Sequence, residues 1–322
     1  MSNKYFFSMI IAISLLMIVG CAQQEETNID TVNDKVKIGI MLSDVGLGDQ
    51  SFSDLAFNGL IQARDELDIV FDYREIATTE TYEQGLRELV EQDNDLIIGL
   101  GYMVQEGLEV VAKDNPDQQF LLIDSVSTLE NVTSVMFKVD EASYLAGIVA
   151  AETTETDHIG FVGGQDVELI QTFYNGFEAG AQSVNPEIQI EKAYAGTFGD
   201  EKLGASIAGE MVEQGADVLF AAAGLTGVGL LKEAQDQNAY AIGVDTDQYF
   251  YAEDAIITSV MKNVDNVIYR LAKQLVNGEK IESDLLEFGI ANEGVGLATL
   301  RVADFPPRVH QQIKAAKEAF SN

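Results

Sequence analysis

Residues 36–67 read VKIGIMLSDVGLGDQSFSDLAFNGLIQARDEL. The opening run VKIGIML is apolar and β-branched, the composition of a strand buried on both faces. From Asp54 to Leu67 the pattern is helical, so the unit is strand, turn, helix. Glycine and polar residues belong in such a turn. Phe52 does not: a large aromatic stands at the mouth of a helix, among Gly, Asp and Ser.

Outward from this stretch the unit repeats. Further apolar runs lie at 68–76 (DIVFDYREI), 95–101 (DLIIGLG), 119–124 (QFLLID) and 132–139 (VTSVMFKV), with helical patterns at 54–67, 81–93 and 103–113. Strands alternating with helices imply a parallel sheet covered on both faces. The pattern then restarts. HIGFVGG (158–164), IQIEKAYAG (188–196), DVLFAAAG (217–224) and YAIGVD (240–245) alternate with helices near 168–183, 201–214 and 226–236.

IITSVMK (256–262) follows, then a helix with Val264, Val267, Ile268, Leu271 and Leu275 on one face and Gly278 where a C-cap belongs. The second array is complete before this point, so the chain is expected to return to the first lobe near residue 260. A tail helix closes the chain over 308–320. The fold class is α/β: two doubly wound parallel-sheet lobes joined by a hinge. The N-terminal lobe takes residues 36–139 plus about 260–290, and the C-terminal lobe takes 140–259 plus about 291–322. A length of 322 residues, above the usual size of a single core, agrees with two lobes.

The first 20 residues are not part of this fold. They hold one lysine, an apolar core and a small residue before Cys21, which is the pattern of a secretory signal. IVGC resembles the lipobox of bacterial lipoproteins, which implies that Cys21 is lipidated and becomes the mature N-terminus. Cys21 is the only cysteine, so no internal disulfide can form. Residues 21–35 are polar, acidic and aperiodic and read as a flexible tether. Acylation would hold the protein on the outer face of the cell membrane without a spanning segment.

The chain has 53 acidic and 19 basic residues, a net charge of −34. That argues against nucleic acid or an anionic surface as partner. It also makes any cation facing a ligand stand out.

In α/β sheets ligands bind beyond the carboxyl ends of the strands, so two lobes should face each other across a cleft built from strand-end turns. Phe52 and Phe173 each sit at such a position, one per lobe. Two aromatic faces can sandwich a flat ring, each stack worth about 1–3 kcal/mol. Phe173 can equally pack in the core, and Phe198, in AGTFGDE, is a third candidate for the second face. Asp245 ends YAIGVD and can accept hydrogen bonds from vicinal hydroxyls, or serve as a helix cap. Lys262 ends IITSVMK, where it can pair with Asp245 or remain solvated. Asp44 and Asp49 flank the opening loop and can accept N–H donors from a base edge, although Asp49 can as well cap the following helix. Tyr102, Asp124 and Gly224 occupy the other strand ends, Gly224 letting bare backbone approach a ligand.

GDQSFSDLAFNGL, DLIIGLGY, FLLIDS, ASYLAGIVAA, GFVGG, FYNGFEAGA, GADVLFAAAGLTGVG, AIGVDTDQ and TSVMKNVDNVIY resemble, in this order, the basic membrane protein family. Its members are substrate-binding lipoproteins of ABC transporters with a type I periplasmic-binding-protein fold, and its best understood group receives purine nucleosides. The resemblance runs from about Val36 to Gly296. It implies that Asp245 and Lys262 contact a nucleoside ribose, and that a monomer delivers its ligand to separate permease and ATPase subunits. At Ser53 the sequence departs from the family's usual asparagine, which bears on base discrimination. Relatives in the family also bind riboflavin, another flat ring with a polyol. A surface sensor or adhesin with a vestigial cleft is the alternative of another class.

Enzyme motifs are missing. VGLGDQS and LTGVGLL match neither G-x-G-x-x-G nor G-x-x-x-x-G-K-[ST]. There is no G-x-S-x-G elbow, no H-E-x-x-H and no cysteine pair, and the two histidines lie at a strand start and in the tail. No cofactor, metal or catalytic residue is expected.

Overall fold

The computed structural model describes residues 35–281 and 284–321. The expected signal sequence, Cys21 and the expected tether up to residue 34 lie outside the described residues.

The first sheet contains β1 (Lys37–Met41), β2 (Val70–Arg74), β3 (Leu96–Leu100), β4 (Phe120–Ile123) and β5 (Val132–Phe137). In the second are β6 (His158–Gly163), β7 (Gln189–Tyr194), β8 (Val218–Ala222), β9 (Tyr240–Asp245) and β10 (Ile256–Lys262). Two short strands complete them: β11 (Leu285–Phe288) joins the first sheet beside β5, and β12 (Val295–Leu297) joins the second beside β10. The orders are β11-β5-β4-β3-β1-β2 and β12-β10-β9-β8-β6-β7. Each lobe therefore repeats the 2-1-3-4-5 order, whose switch point lies between its first and third strands. All pairings are parallel except β12 with β10. The central strands β3 (LIIGL) and β8 (VLFAA) are buried along their whole length, as the apolar runs require.

The helices that position the cleft are α1 (Phe52–Leu67), α2 (Ile76–Thr79), α3 (Tyr82–Glu91), α4 (Gln105–Asp114) and α5 (Val139–Thr153), followed by α6 (Glu168–Val184), α7 (Glu201–Glu213), α8 (Gly224–Asp236), α9 (Val264–Val276) and α10 (Pro307–Phe320). In the first lobe α1 packs on α9.

One expectation needs correction. IITSVMK is the fifth parallel strand of the second sheet and does not begin the return to the first lobe. The return follows Lys262, and α9 is the segment that crosses. The strand stays behind because its register on β9 buries nearly every residue from Ile256 to Lys262. The second sheet also gains an antiparallel edge, β12, which the sequence reading did not contain.

The chain passes between the lobes three times, and the three passages are bonded to one another. Lys138 N–H donates to the Phe288 carbonyl at 2.8 Å, and Asn263 N–H to the Gly294 carbonyl at 2.9 Å. The Glu141 carboxylate, at the start of α5, accepts Ile290 N–H at 2.7 Å.

The contact between α5 and α6 is the most extensive helix–helix contact among the described residues. It depends on glycine: a Cβ on Gly180 would lie 1.9 Å from the Tyr144 carbonyl oxygen, and one on Gly147 would lie 2.1 Å from that of Phe177. Backbone meets backbone, so no rotamer change can make room. Gly180→Ala should destabilise the protein by about 1–3 kcal/mol or more, the range for overpacking a filled core. Gly296→Ala, where a Cβ meets nothing within 4 Å, is the control and should be near neutral. Urea unfolding of the two variants checks this.

Candidate functional site

The carboxyl ends of the two sheets face one cavity. Its walls come from the β1–α1 loop, the ends of β3 and β4, the start of α6, the loop after β7, and the ends of β8, β9 and β10. Both switch points contribute, as the strand order demands.

The quoted loop folds around Asp49. Its carboxylate accepts N–H bonds from Ser51 at 3.0 Å, Ser53 at 2.6 Å and Asp54 at 3.2 Å, which satisfies the amide donors at the start of α1. Asp54 in turn accepts Gly48 N–H and Gln50 N–H. Two carboxylates thus turn the chain tightly enough to bring Phe52 to the cavity wall. The Phe52 ring lies against the bare backbone of Gly101, where a Cβ would be 3.4 Å from the ring edge.

The second lobe repeats this device. The Phe198 ring lies on Gly164, so close that a Cβ there would be 2.2 Å from ring carbons. Gly224, at φ 54°, brings its backbone beside the same residue. Phe198 and Phe52 are therefore each seated on a glycine at a strand end, on opposite lobes of one cavity. Phe173 lines the cavity too, but it is buried and packs on Phe220, ring centroids 6.4 Å apart, in the second-lobe core. Leu169, Ile170, Met103 and Val45 fill out the apolar wall.

One end of the cavity is charged. Lys262 is 3% exposed and pairs with Asp124 of the first lobe. Its ammonium also sits 4.4 Å from the Phe52 ring centroid and 5.2 Å from that of Phe137. Asp245, next to Lys262 on the second lobe, accepts a hydrogen bond from the Ser51 hydroxyl of the first. Burial pushes the Asp245 carboxyl up, Lys262 and the Ser51 hydroxyl pull it down, and Asp124 pushes it up again. Burial is the largest of these effects, and the Lys262 ammonium is the main one opposing it. Asp124 and Asp245 both adopt φ 65°, a left-handed conformation that turns each side chain off its strand end. The second oxygen of Asp124, Oδ1, is buried and accepts no hydrogen bond.

The other end is polar without a cation. Tyr102 Oη donates to Gln165 Oε1 across the lobes at 3.1 Å. Asp44 lines the cavity there, its carboxyl pushed up by burial. The charge of Asp44 in turn helps push up the hydroxyls of Tyr82 and Tyr102, behind the larger effect of burial. Among the described residues no cluster of His, Cys, Asp or Glu could hold a metal ion.

Of the residues singled out in the sequence, Asp44, Asp49, Phe52, Tyr102, Asp124, Phe173, Phe198, Gly224, Asp245 and Lys262 line the cavity. Ser53 does not. It is fully buried in the first turn of α1, and its hydroxyl meets the Ser43 hydroxyl at 2.6 Å. Any influence on a ligand must pass through Ser43, which does line the cavity. Asp49 reaches the wall, and both its oxygens accept amides of the helix start, so it caps α1. Lys262 pairs first with Asp124, which the sequence reading did not foresee. Ser51 and Gln165 were missed. Ser51 adjoins Phe52 in the quoted loop, but its partner is 194 residues away.

Asp49 gives a pH dependence with a definite sign. Burial raises its pKa from 3.8 to about 6 despite the three N–H donors. The folded state then binds a proton more readily than the unfolded one between these values. This contribution to stability is fully present at low pH and lost as pH rises through about 6. In Asp49→Asn the dependence disappears. The stability advantage of the parent over the variant should grow as pH falls from 7 to 4, by up to about 3 kcal/mol. Urea unfolding at a series of pH values measures it, and a constant difference would contradict the assignment.

Residues 35–321 match the family described as ABC transporter substrate-binding protein PnrA-like. The chain is 33% identical over 315 residues to the CD4+ T-cell-stimulating antigen of Listeria innocua, covering 90% of this chain and 88% of that protein. It is 30% identical over 307 residues to the ABC transporter nucleoside-binding protein BmpA of Lactococcus lactis subsp. cremoris, covering 88% of each. Its fold superposes on an ABC transporter solute-binding protein from Aeropyrum pernix K1 with a TM-score of 0.77 at 28% identity, covering 89% of this chain and 87% of that one. Sequence and architecture agree, and the chain belongs to the PnrA-like family of ABC transporter substrate-binding proteins.

Proposed function

We propose that this protein captures a purine nucleoside in the interlobe cavity and delivers it to the permease of an ABC importer. The observation that carries the reading is the division of the cavity. Phe52 and Phe198 offer aromatic faces from opposite lobes, while Asp124, Lys262 and Asp245 gather at one end. A nucleoside is divided the same way, a flat base joined to a vicinal diol. The base stacks between the rings. The diol donates to Asp245 and to the free Oδ1 of Asp124 and accepts from Lys262. Asp44, at the far end, accepts an N–H from the base edge.

The family role supplies the rest of the setting. A substrate-binding protein hands over its ligand unchanged, and the permease and ATPase are other chains. Among the described residues no helix is long and apolar enough to cross a membrane. We place the protein as a monomer on the outer face of the cell membrane, held by lipid on Cys21 and the tether that follows.

Thermal melts and calorimetry with adenosine, guanosine, inosine, cytidine, riboflavin and ribose test the reading. A purine nucleoside at a hundredfold excess over Kd should add about 2.7 kcal/mol of stability. Phe52→Ala should weaken its binding about tenfold or more through the lost stack. Asp245→Ala should weaken it further than ribose-free base analogues reveal. Riboflavin binding alone would transfer the cavity to another flat ring with a polyol. If nothing in the panel shifts the melt, the proposal falls.

A further inference from the structure

The start of α1 is built like an anion site. Five amide N–H groups between Gly48 and Asp54 converge there on two carboxylates. Those of Ser51 and Asp54 donate to Asp49 Oδ1 and that of Ser53 to Asp49 Oδ2, while those of Gly48 and Gln50 donate to Asp54. Gly48, at φ 92°, and Gln50, at φ 56°, curl the backbone into a concavity. Concave runs of amides bind anions such as phosphate. The helix behind them is 16 residues long and adds its positive end. In α/β folds this turn, after the first strand, is where a ligand's phosphate is held. Here the protein fills the position with its own side chain. Asp49 is 4% exposed and lines the cavity.

The filled position adjoins the charged end of the cavity. Ser51, whose amide bonds Asp49, gives its hydroxyl to Asp245. The Ser53 hydroxyl is engaged with that of Ser43. In the second lobe the start of α8 also reaches the cavity, and there Thr226 N–H donates to the Phe198 carbonyl at 3.0 Å. Among the described residues that line the cavity, Lys262 is the one cation, against the carboxylates of Asp44, Asp49, Asp124 and Asp245. That lysine is already paired with Asp124.

We propose that Asp49 is a specificity-determining residue: its carboxylate occupies the anion position at the start of α1, so the cavity accepts a nucleoside and rejects the phosphate ester of that nucleoside. This rests on the nucleoside reading given above and adds a direction of discrimination to it. A sugar hydroxyl brings a proton that Asp245 or Asp124 can accept. An ionised phosphate brings only acceptors and negative charge, and at α1 it finds the amides taken.

The test compares guanosine with its 5′- and 3′-monophosphates by calorimetry on the full chain. The pH is 8, where the Asp49 carboxyl, pushed up to about 6 by burial, is ionised. The parent should bind guanosine at least about a hundredfold more tightly than either ester, the scale of a like-charge mismatch. Asp49→Asn should narrow that ratio at least about tenfold, and Asp49→Gly, which releases all three amides, should narrow it further. A purely structural role would weaken nucleoside and ester together and leave the ratio unchanged. Asp54→Asn removes a neighbouring charge that does not line the cavity, and its ratio should stay nearer the parent's. The proposal is overturned if the ratio is unchanged in both Asp49 variants, if Asp54→Asn narrows it as much, or if the parent binds an ester as tightly as guanosine. Inorganic phosphate, set against chloride at equal ionic strength, gives an arm free of nucleoside. It should raise the melting temperature of the Asp49 variants more than that of the parent. If the parent binds no nucleoside, the ligand reading fails alone, and the phosphate arm still decides whether Asp49 fills an anion position.

Discussion

A single buried lysine between two carboxylates sets the terms for this structure. Lys262 comes from β10, Asp245 from the neighbouring β9, and Asp124 from β4 of the other lobe. Removing these charges from water is costly, and only close pairing offsets it. The pairing requires three strand ends, on two sheets, to converge. It also leaves one negative charge in excess, and burial first, with the Asp124 charge behind it, raises the proton affinity of Asp245. The same groups therefore join the lobes and hold a local polarity that hydroxyl donors can answer. Around this point the fold is a means of delivery. Both sheets use the order that opens a crevice at the switch point, and bonded crossovers keep the lobes aligned.

The aromatic walls follow a different logic. Phe52 and Phe198 sit on glycine backbone, which presents a flat surface and no side chain to shift. Phe173, by contrast, spends its ring on Phe220 and contributes only an edge of the wall. The cavity thus combines two fixed aromatic faces with a charged end and a polar one.

Much of this was legible in the sequence because it is periodic or local. Strands such as LIIGL and VLFAA are continuous apolar runs, and Phe52 is conspicuous among turn residues. Strand β11 was invisible because LLEF has no clear alternation and is half exposed, and VGL of β12 is three residues long. The lobe of IITSVMK could not be read because a parallel strand reveals its burial and not its neighbour. The cross-lobe pairs Ser51–Asp245 and Tyr102–Gln165 join residues that no local pattern connects. Asp49 was open between two roles, and its hydrogen bonds favour the cap: three amides claim its oxygens.

The left-handed backbone at Asp124 and Asp245 constrains the lineage as well as the molecule. Among the residues that tolerate this conformation, asparagine and glycine are the ready substitutes. Asparagine keeps the turn but loses the charge opposite Lys262, and glycine loses the side chain altogether. Drift toward a new ligand is thereby channelled away from these two positions. It falls on neighbours outside the left-handed region, such as Tyr102, so descendants of this protein would diversify around a fixed acidic pair.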